Sequence, residues 1–394
     1  EHIQAQRDRN AKFIKTLDSL AAEMLPAIVK FQILRLCHAP RMVFFCSTTP
    51  PGLVKEVVAE FQTDLINRVT ALMQVTFTDA NREALFQREG AGLPDLVGKS
   101  HLLYLRTVQR YENNDYNRRD LLDAKTRCLA HYPSDCSDAL RRHLSHQVKA
   151  DWLFTSMRNP RSMRLNDYEF GLLMAVRCYA LPRKYSFLTR DAFGQPTRTP
   201  FDCLSRSCRM GTIKNDQQCI DHVFSGCKGA ADLYSDATRH NELKYEILNV
   251  IRSYGLHIMA EPNSLRYPGE RHHRPDLAIL SGKMIMTDFV ISGTPEEVGT
   301  AAFAHAAVKI RTHRTVCESS GFYFFPFAAE IHGHLHTDAF RFIGLVASGL
   351  PLHLRNPCKF ELFQATSMIL ARARVKMIEA NFNRYVHGYS MWDA

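Results

Sequence analysis

Pro275-Asp276-Leu277-Ala278-Ile279-Leu280-Ser281-Gly282-Lys283-Met284-Ile285-Met286-Thr287-Asp288-Phe289 is the stretch on which the reading of this chain turns. Two apolar runs flank the three-residue connection Ser281-Gly282-Lys283, a favourable hairpin loop. With Gly282 at its centre, residues whose numbers sum to 564 face one another, and Asp276 and Asp288 meet that condition. Opposed residues on one face have Cβ atoms about 4.5–5.5 Å apart, close enough for two carboxylates to share a Mg²⁺ (or Mn²⁺) ion. Without a cation such neighbours repel. The competing reading is a pair of solvated strand-end aspartates on a slipped register.

Working outward, the periodicity predicts a helix at 238–254, a strand at 256–261, strands at 275–280 and 284–292, a helix at 296–318 and a strand at 321–331. Gly255, Ser281-Gly282 and Gly321 are the breakers. The order is α-β-β-β-α-β, and a last helical segment follows from Glu361 to Tyr385. His305, Lys309 and His313 are spaced i, i+4, i+8, along one helix face. Carried back over the hairpin by a right-handed crossover, that face could bring the Lys309 ammonium to the carboxylates. Two metal-binding acids and an ammonium are what phosphodiester hydrolysis needs, although a solvated basic helix face has the same spacing. Arg239-His240-Asn241-Glu242 places donors near a helix start, a candidate phosphate or nucleic-acid contact, and Glu242 or Glu246 could add a further acid.

The N-terminal half differs in character. Apolar residues from Phe13 to Leu34 recur at helical spacing, with Pro26 as a boundary; Cys37-His38-Ala39-Pro40-Arg41 reads as a turn, and Leu53–Thr76 returns to helical spacing. Gly90-Ala91-Gly92-Leu93-Pro94 interrupts, Leu102–Tyr111 resumes, and 120–185 is mostly helical with Asp167–Tyr179 the clearest segment. The fold class is therefore α+β, partitioned as 1–200 helical, 201–232 a cysteine-bearing connector and 233–394 the mixed core. No apolar run approaches the ~18–20 residues of a bilayer span, so no membrane partner is expected. The start, Glu1-His2-Ile3, lacks an initiator Met and a signal-peptide core and reads as a cut from a longer chain.

Charge and cysteines narrow the function. The chain carries a formal +10, and Arg158–Lys214 holds eleven Lys/Arg against four acids, a stretch able to release phosphate counterions, with Arg158, Arg161 and Arg164 at its head. A solvated basic surface fits the same count. Eleven cysteines are an odd number, which argues against a paired extracellular framework. Cys203-x4-Cys208 and His222-x4-Cys227 supply three thiols and an imidazole, a tetrahedral Zn²⁺ set in which Cys219 could replace one ligand. His332-x-His334-x-His336 reads as a solvated strand edge ahead of a metal site.

Taken in order, the Cys203, Cys208, His222, Cys227 knuckle, Arg239-His240-Asn241, Pro275-Asp276 with Asp288, and Lys309 in a helix resemble the carboxy-terminal part of non-LTR retrotransposon proteins that carry a restriction-enzyme-like endonuclease. The α-β-β-β-α-β order is similar to the PD-(D/E)XK nuclease core. More loosely, Cys37–Arg41 with Thr49-Pro50-Pro51 and Gly90–Pro94 resembles the reverse-transcriptase thumb, and Trp152-Leu153 with Leu165–Phe170 the linker before the knuckle. The family's helix Lys is usually followed four residues later by Tyr, where this chain has His313, and its knuckle gap is shorter than here. No Asp-Asp dipeptide occurs, so the polymerase metal signature is absent. The resemblance implies a nuclear protein, cytoplasmic while assembling with RNA, whose partners are target DNA, the element RNA and an upstream polymerase region. It implies an endonuclease that nicks DNA to prime reverse transcription, with Asp276, Asp288 and Lys309 as catalytic residues; His313, in the place of the family's Tyr, and Glu246, the further acid of the helix at 238–254, are expected to join them. The alternative is a noncatalytic nucleic-acid-binding remnant.

Overall fold

The computed structural model describes residues 1–21, 25–87, 89–112, 138–147, 165–203, 205, 208, 210–225, 227, 236–262, 274–281 and 283–387. The chain divides into two compact units, Glu1–Leu144 with Asn166–Lys184, and Ser145–Leu165 with Tyr185–Ala394. This division puts 185–200 and the 201–232 connector in the same unit as 233–394.

The first unit is helical. It holds α1 (His2–Ala21), α2 (Ala27–Ile33), α3 (Ala39–Thr48), α4 (Pro51–Met73), the short α5 (Asp79–Arg82), α6 (Leu96–Glu112), most of α7 (Asp138–Gln147) and α8 (Asp167–Arg177). Along α4 the buried residues Val54, Val58, Phe61, Leu65, Val69 and Met73 recur every three or four positions, the stripe a helix turns to its core. Each such side chain, fully buried, stabilises by roughly 1.5–3 kcal/mol. The α4 end meets α8 closely: a Cβ on Gly171 would lie 2.9 Å from the Leu72 carbonyl oxygen, so no larger residue fits. At 37–41 the expected turn gives way to helix. A single wider turn, Leu34–His38, runs straight into α3, whose first turn holds Pro40. The wide turn places the bond from Ala39 N to Leu34 O directly ahead of Pro40, so the helix continues past a residue that has no N–H to donate.

The second unit mixes helix and sheet, making the chain α+β. Its elements are β1 (Phe201–Asp202), β2 (Thr212–Ile213), α9 (Asp216–Phe224), α10 (Asp236–Ser253), β3 (Ile258–Ala260), β4 (Leu277–Ile279), β5 (Ile285–Thr287), β6 (Phe289–Ser292), α11 (Thr300–Ser319), β7 (Tyr323–Phe324), β8 (Phe327–Glu330), α12 (Thr337–Ser348) and α13 (Leu352–His387). One sheet runs β3-β4-β5-β7, antiparallel except for the parallel β5–β7 pair, and β6 pairs with β8 in parallel. Met286↔Phe324 and Phe289↔Phe327 keep one offset, and Phe327 N donates to Asp288 O at 2.9 Å across the gap. The expected strands 284–292 and 321–331 are thus present, each interrupted once. The second interruption holds Pro326, which has no N–H; the cross-strand bonds there come from Phe325 and Phe327, so none is lost.

The observed register of the central hairpin is the expected one: Leu277↔Thr287, Ala278↔Met286 and Ile279↔Ile285. Gly282 itself lies outside the described residues. Ala278, Met286 and Phe324 cluster with Cys317 of α11, while Ala302 and Ala306 of α11 pack on Ala328. Residues one step along a strand point to the other face. Both faces of β4 and β5 are buried, which explains their continuous apolar runs. α10 packs on β3, β6 and α13. The last helix begins nine residues before the expected Glu361, and α12 precedes it.

Candidate functional site

The β4–β5 register carried one residue further sets Asp276 against Asp288, and Asp276 N still donates to Thr287 O at 3.0 Å. Both aspartates are buried, and a carboxylate oxygen of each lies within 4.8 Å of the other and of a ring nitrogen of His240. Hydrogen bonds fix both. Asp276 Oδ2 accepts from Phe289 N at 2.7 Å and meets His240 Nε2 at 2.8 Å. Asp288 Oδ2 meets Lys309 Nζ at 3.0 Å and His313 Nε2 at 2.7 Å. Lys309 and His313 stand four apart on α11 and so share a face; His305, the third member of the expected row, is exposed. A helix row with a four-residue step drifts about 40° per step, which carries His305 away from the sheet.

The electrostatics of the two acids diverge. Burial, then the neighbouring Asp288 carboxylate, push Asp276 above the usual aspartate range, although His240 pulls the other way. Burial would also raise Asp288, but the His313 ring, the bond to Asp276 and the Lys309 ammonium together outweigh it and hold Asp288 well below that range. Burial alone would lower His240, and its bond to Asp276 more than compensates, leaving it raised. The pair therefore favours one charge over two, which a divalent cation would reverse. Lys309 and His240, 30% and 26% exposed, are its solvent-facing members.

Three further residues join the group without having been anticipated. Lys244, one turn beyond His240 on α10 and 2% exposed, sits 2.8 Å from Glu261 Oε1 and 3.9 Å from Asp276 Oδ1. Glu261 follows β3, donates its N–H to Asp276 O at 2.7 Å, and pairs with Arg274 at 2.5 Å. Its φ of 46° is a left-handed conformation that costs a residue with a Cβ about 1–2 kcal/mol, and such strain collects at functional sites. Glu261 thus extends the backbone row of Asp276 and Asp288 beyond β3, while its carboxylate is held by Lys244 and Arg274 outside the cluster of His240, Asp276 and Asp288.

Other expected members go elsewhere. Glu246, six residues past His240, is turned about 120° round α10 and stands outside the group, while Glu242 pairs with Lys376. Arg239 is buried against Met377 of α13, so it cannot present its charge to a phosphate at the surface. Asn241 is exposed, with its Oδ1 3.3 Å from His240 Nδ1. Arg158, Arg161 and Arg164 lie outside the described residues.

The cysteine group is assembled by a two-stranded ribbon and a short helix. Cys203 follows β1, Cys208 lies between β1 and β2, His222 is in the last turn of α9, and Cys227 comes just after it. Asn215 caps α9 by accepting from Gln218 N at 2.8 Å, which fixes the helix start and hence the His222 phase. The four ligand atoms lie within 4.8 Å of one another, and Cys203 Sγ is 3.6 Å from Cys227 Sγ. Thiolates about 2.3 Å from a tetrahedral Zn²⁺ would be about 3.8 Å apart. His222 is fully buried, both ring nitrogens lack a hydrogen-bond partner among the described residues, and burial lowers its pKa to about 4. An orphaned neutral imidazole beside three sulfurs fits a metal ligand. Cys219 points away, its Sγ 3.6 Å from Asn381 Oδ1, and so is not a fifth candidate.

Compared with models of known protein families the chain matches none, and no curated protein matches it significantly. The site rests on its own geometry.

Two cations of the basic segment are internal: Arg177 donates to Gly90 O at 2.9 Å, and Arg198 lies among the rings of Phe187, Phe201 and Phe382. Arg183, Lys184, Arg190 and Lys214 are exposed. The histidine triplet disperses, contrary to a common solvated edge. His332 is buried, with Nδ1 3.0 Å from Gln147 Nε2; His334 lies against Gly299; His336 caps α12 by accepting from Asp338 N at 3.2 Å.

Proposed function

We propose that this chain is the metal-dependent DNA endonuclease portion of a non-LTR retrotransposon protein, with a zinc-knuckle-like connector ahead of a PD-(D/E)XK-type core. The observation that carries the reading is the opposition of Asp276 and Asp288 across the β4–β5 register with Lys309 Nζ 3.0 Å from Asp288. The element order α10-β3-β4-β5/β6-α11-β7/β8 supports the same core.

Asp276 and Asp288 would hold Mg²⁺ or Mn²⁺, which when bound supplies the charge that activates water and offsets the negative charge building on phosphate. Lys309 is placed to position the attacking water or the phosphate, since its ammonium faces solvent while anchored to Asp288. His313 holds Asp288 from the buried side, and His240 does the same for Asp276. In this role His313 orients a ligand, so a tyrosine hydroxyl could replace its ring. The cysteine set supports Zn²⁺ in the connector, and the exposed cations support a polyanionic partner, DNA or element RNA.

Relaxation of supercoiled plasmid with Mg²⁺ or Mn²⁺ tests the proposal. The parent should nick; Asp276→Ala, Asp288→Ala and Lys309→Ala should each lose activity by at least about 100-fold while still binding DNA. Nicking that survives Asp276→Ala would sink the metal site, and a parent that binds DNA without nicking would leave the noncatalytic remnant as the reading.

A further inference from the structure

Asp276 is served at both oxygens by one helix. His240 and Lys244 stand one turn apart on α10 and so share a face. His240 Nε2 meets Asp276 Oδ2 at 2.8 Å, and Lys244 Nζ lies 3.9 Å from the other oxygen, Oδ1. The same Nζ donates to Glu261 Oε1 at 2.8 Å. Lys244 is therefore the link between the cluster of His240, Asp276 and Asp288 and the carboxylate of Glu261.

Among the described residues Lys244, Arg274 and Lys309 pair with these acids, and they differ in access to water. Lys309 on Asp288 and Arg274 on Glu261 are 30% and 47% exposed, whereas Lys244 is 2% exposed. A lysine is almost never buried to that degree unless acids surround it. This one enters from α10 and ends between two carboxylates. Acidic oxygens converging on one buried positive charge are the setting in which proteins otherwise hold a divalent cation. A lysine there differs in one respect: it is covalently attached and cannot exchange. A structural tie between α10 and the end of β3 needs only the Glu261 bond, and the approach to Asp276 is what a charge-balancing role adds. The backbone joins the same two acids, since Glu261 N donates to Asp276 O at 2.7 Å. Burial keeps Lys244 from any substrate, so it acts through Asp276 and Glu261.

We propose that Lys244 is the resident second cation of this site, a positioning residue that holds Asp276 and Glu261 and limits the carboxylates to a single divalent ion. The inference rests on the reading of Asp276 and Asp288 as a metal pair, and its test counts ions in place of nicks.

The measurement is the number of Mn²⁺ ions bound per chain, read from the electron spin resonance of free Mn²⁺ at equilibrium with the full, zinc-saturated chain. The parent should bind one ion, lost in Asp288→Ala. Lys244→Ala should bind two, because the place of the ammonium falls to a second ion held by Glu261 and Asp276. Adding Glu261→Gln to that variant should return the count to one. So should propylammonium, which carries the atoms that the substitution removes. Lys244→Met keeps the stem and omits only the charged end; it should also bind two, and it decides the matter if the alanine variant fails to melt cooperatively. A count that stays at one in both variants overturns the proposal and leaves the metal pair in place. A count that falls to none also overturns it, marking Lys244 as a structural tie. A parent that binds no Mn²⁺ removes the metal pair, and Lys244 is then judged alone: an ion gained in Lys244→Ala and abolished by Glu261→Gln upholds the proposal, and no gain overturns it.

Discussion

Asp288 and Asp276 have the same side chain and opposite environments, so losing the charge should weigh unequally at the two positions. Asp288→Ala strips Lys309 and His313 of their shared acceptor, and breaking a buried pair costs about 3–5 kcal/mol. Lys309 is 30% exposed and solvent takes up part of that loss, so we expect about 3 kcal/mol. Asp276→Asn removes like-charge repulsion and keeps an acceptor for Phe289 N, so it should change stability by about 1 kcal/mol or less. Urea unfolding without added divalent ions measures both, and equal losses would contradict the assignment. The pH dependence has a definite sign. The depressed Asp288 contributes stability that is complete above about pH 4 and lost as pH falls below it. The raised Asp276 acts oppositely, lowering stability as pH rises from its ordinary to its raised value. The aspartate pair was legible because a three-residue loop fixes register by arithmetic. Glu261 was not: its partner strand is reached through residues 263–273, and a connection of that length fixes no register. Lys244 carried only a four-residue step from His240, a spacing that ordinary surface helices share.

The connector shows at the scale of elements how the cysteines could be read and their surroundings could not. Spacing identified Cys203, Cys208, His222 and Cys227, and it left Cys219 as a substitute until its side chain was placed against α13. Arg198 gave no sequence signal at all. Its guanidinium is 2% exposed, bonds Asn381, and has no carboxylate within ion-pair distance among the described residues. A Zn²⁺ with three thiolates and a neutral imidazole carries a net charge of −1, which would supply the missing counter-charge. Purified chain should therefore hold about one zinc, lost on acidification or in His222→Ala. Arg198→Met should weaken zinc affinity about tenfold in a chelator competition while the melting temperature at saturating zinc stays near the parent's. Unaltered affinity would show that the buried cation is balanced some other way. Helix ends were misread for a related reason. Pro40 looks like a breaker in sequence, yet the wide turn directly ahead of it lets the helix continue past its missing N–H. α12 lay between two recognised segments with no cap that the pattern singled out, since His336 is an unusual capping residue.

For the whole molecule, the net charge of +10 is a poorer guide than the placement of each cation. Arg177 and Arg198 are spent inside their units, and Arg239 is buried against α13. Salt dependence of DNA binding should follow the exposed set instead. Each of Arg183, Lys184, Arg190 and Lys214 that contacts phosphate should flatten the slope of log affinity against log salt by about 0.9 when changed to alanine. A slope indifferent to all four would move the nucleic-acid surface elsewhere. Among the described residues no helix is long and apolar enough to cross a membrane. The α-β-β-β-α-β order over 238–331 followed from periodicity and from the breakers Gly255, Ser281-Gly282 and Gly321. Which strand lay beside which did not, since the β5–β7 and β6–β8 pairs join segments more than thirty residues apart. In the proposed nuclease Asp276 and Asp288 together hold one divalent cation. Calorimetric titration of Mn²⁺ into zinc-saturated chain tests it without any nucleic acid. One site should appear, be lost in Asp276→Ala and in Asp288→Ala, and weaken as pH is lowered through the raised Asp276 value, where a proton competes with the metal. Mn²⁺ binding of equal strength in either alanine variant would contradict it.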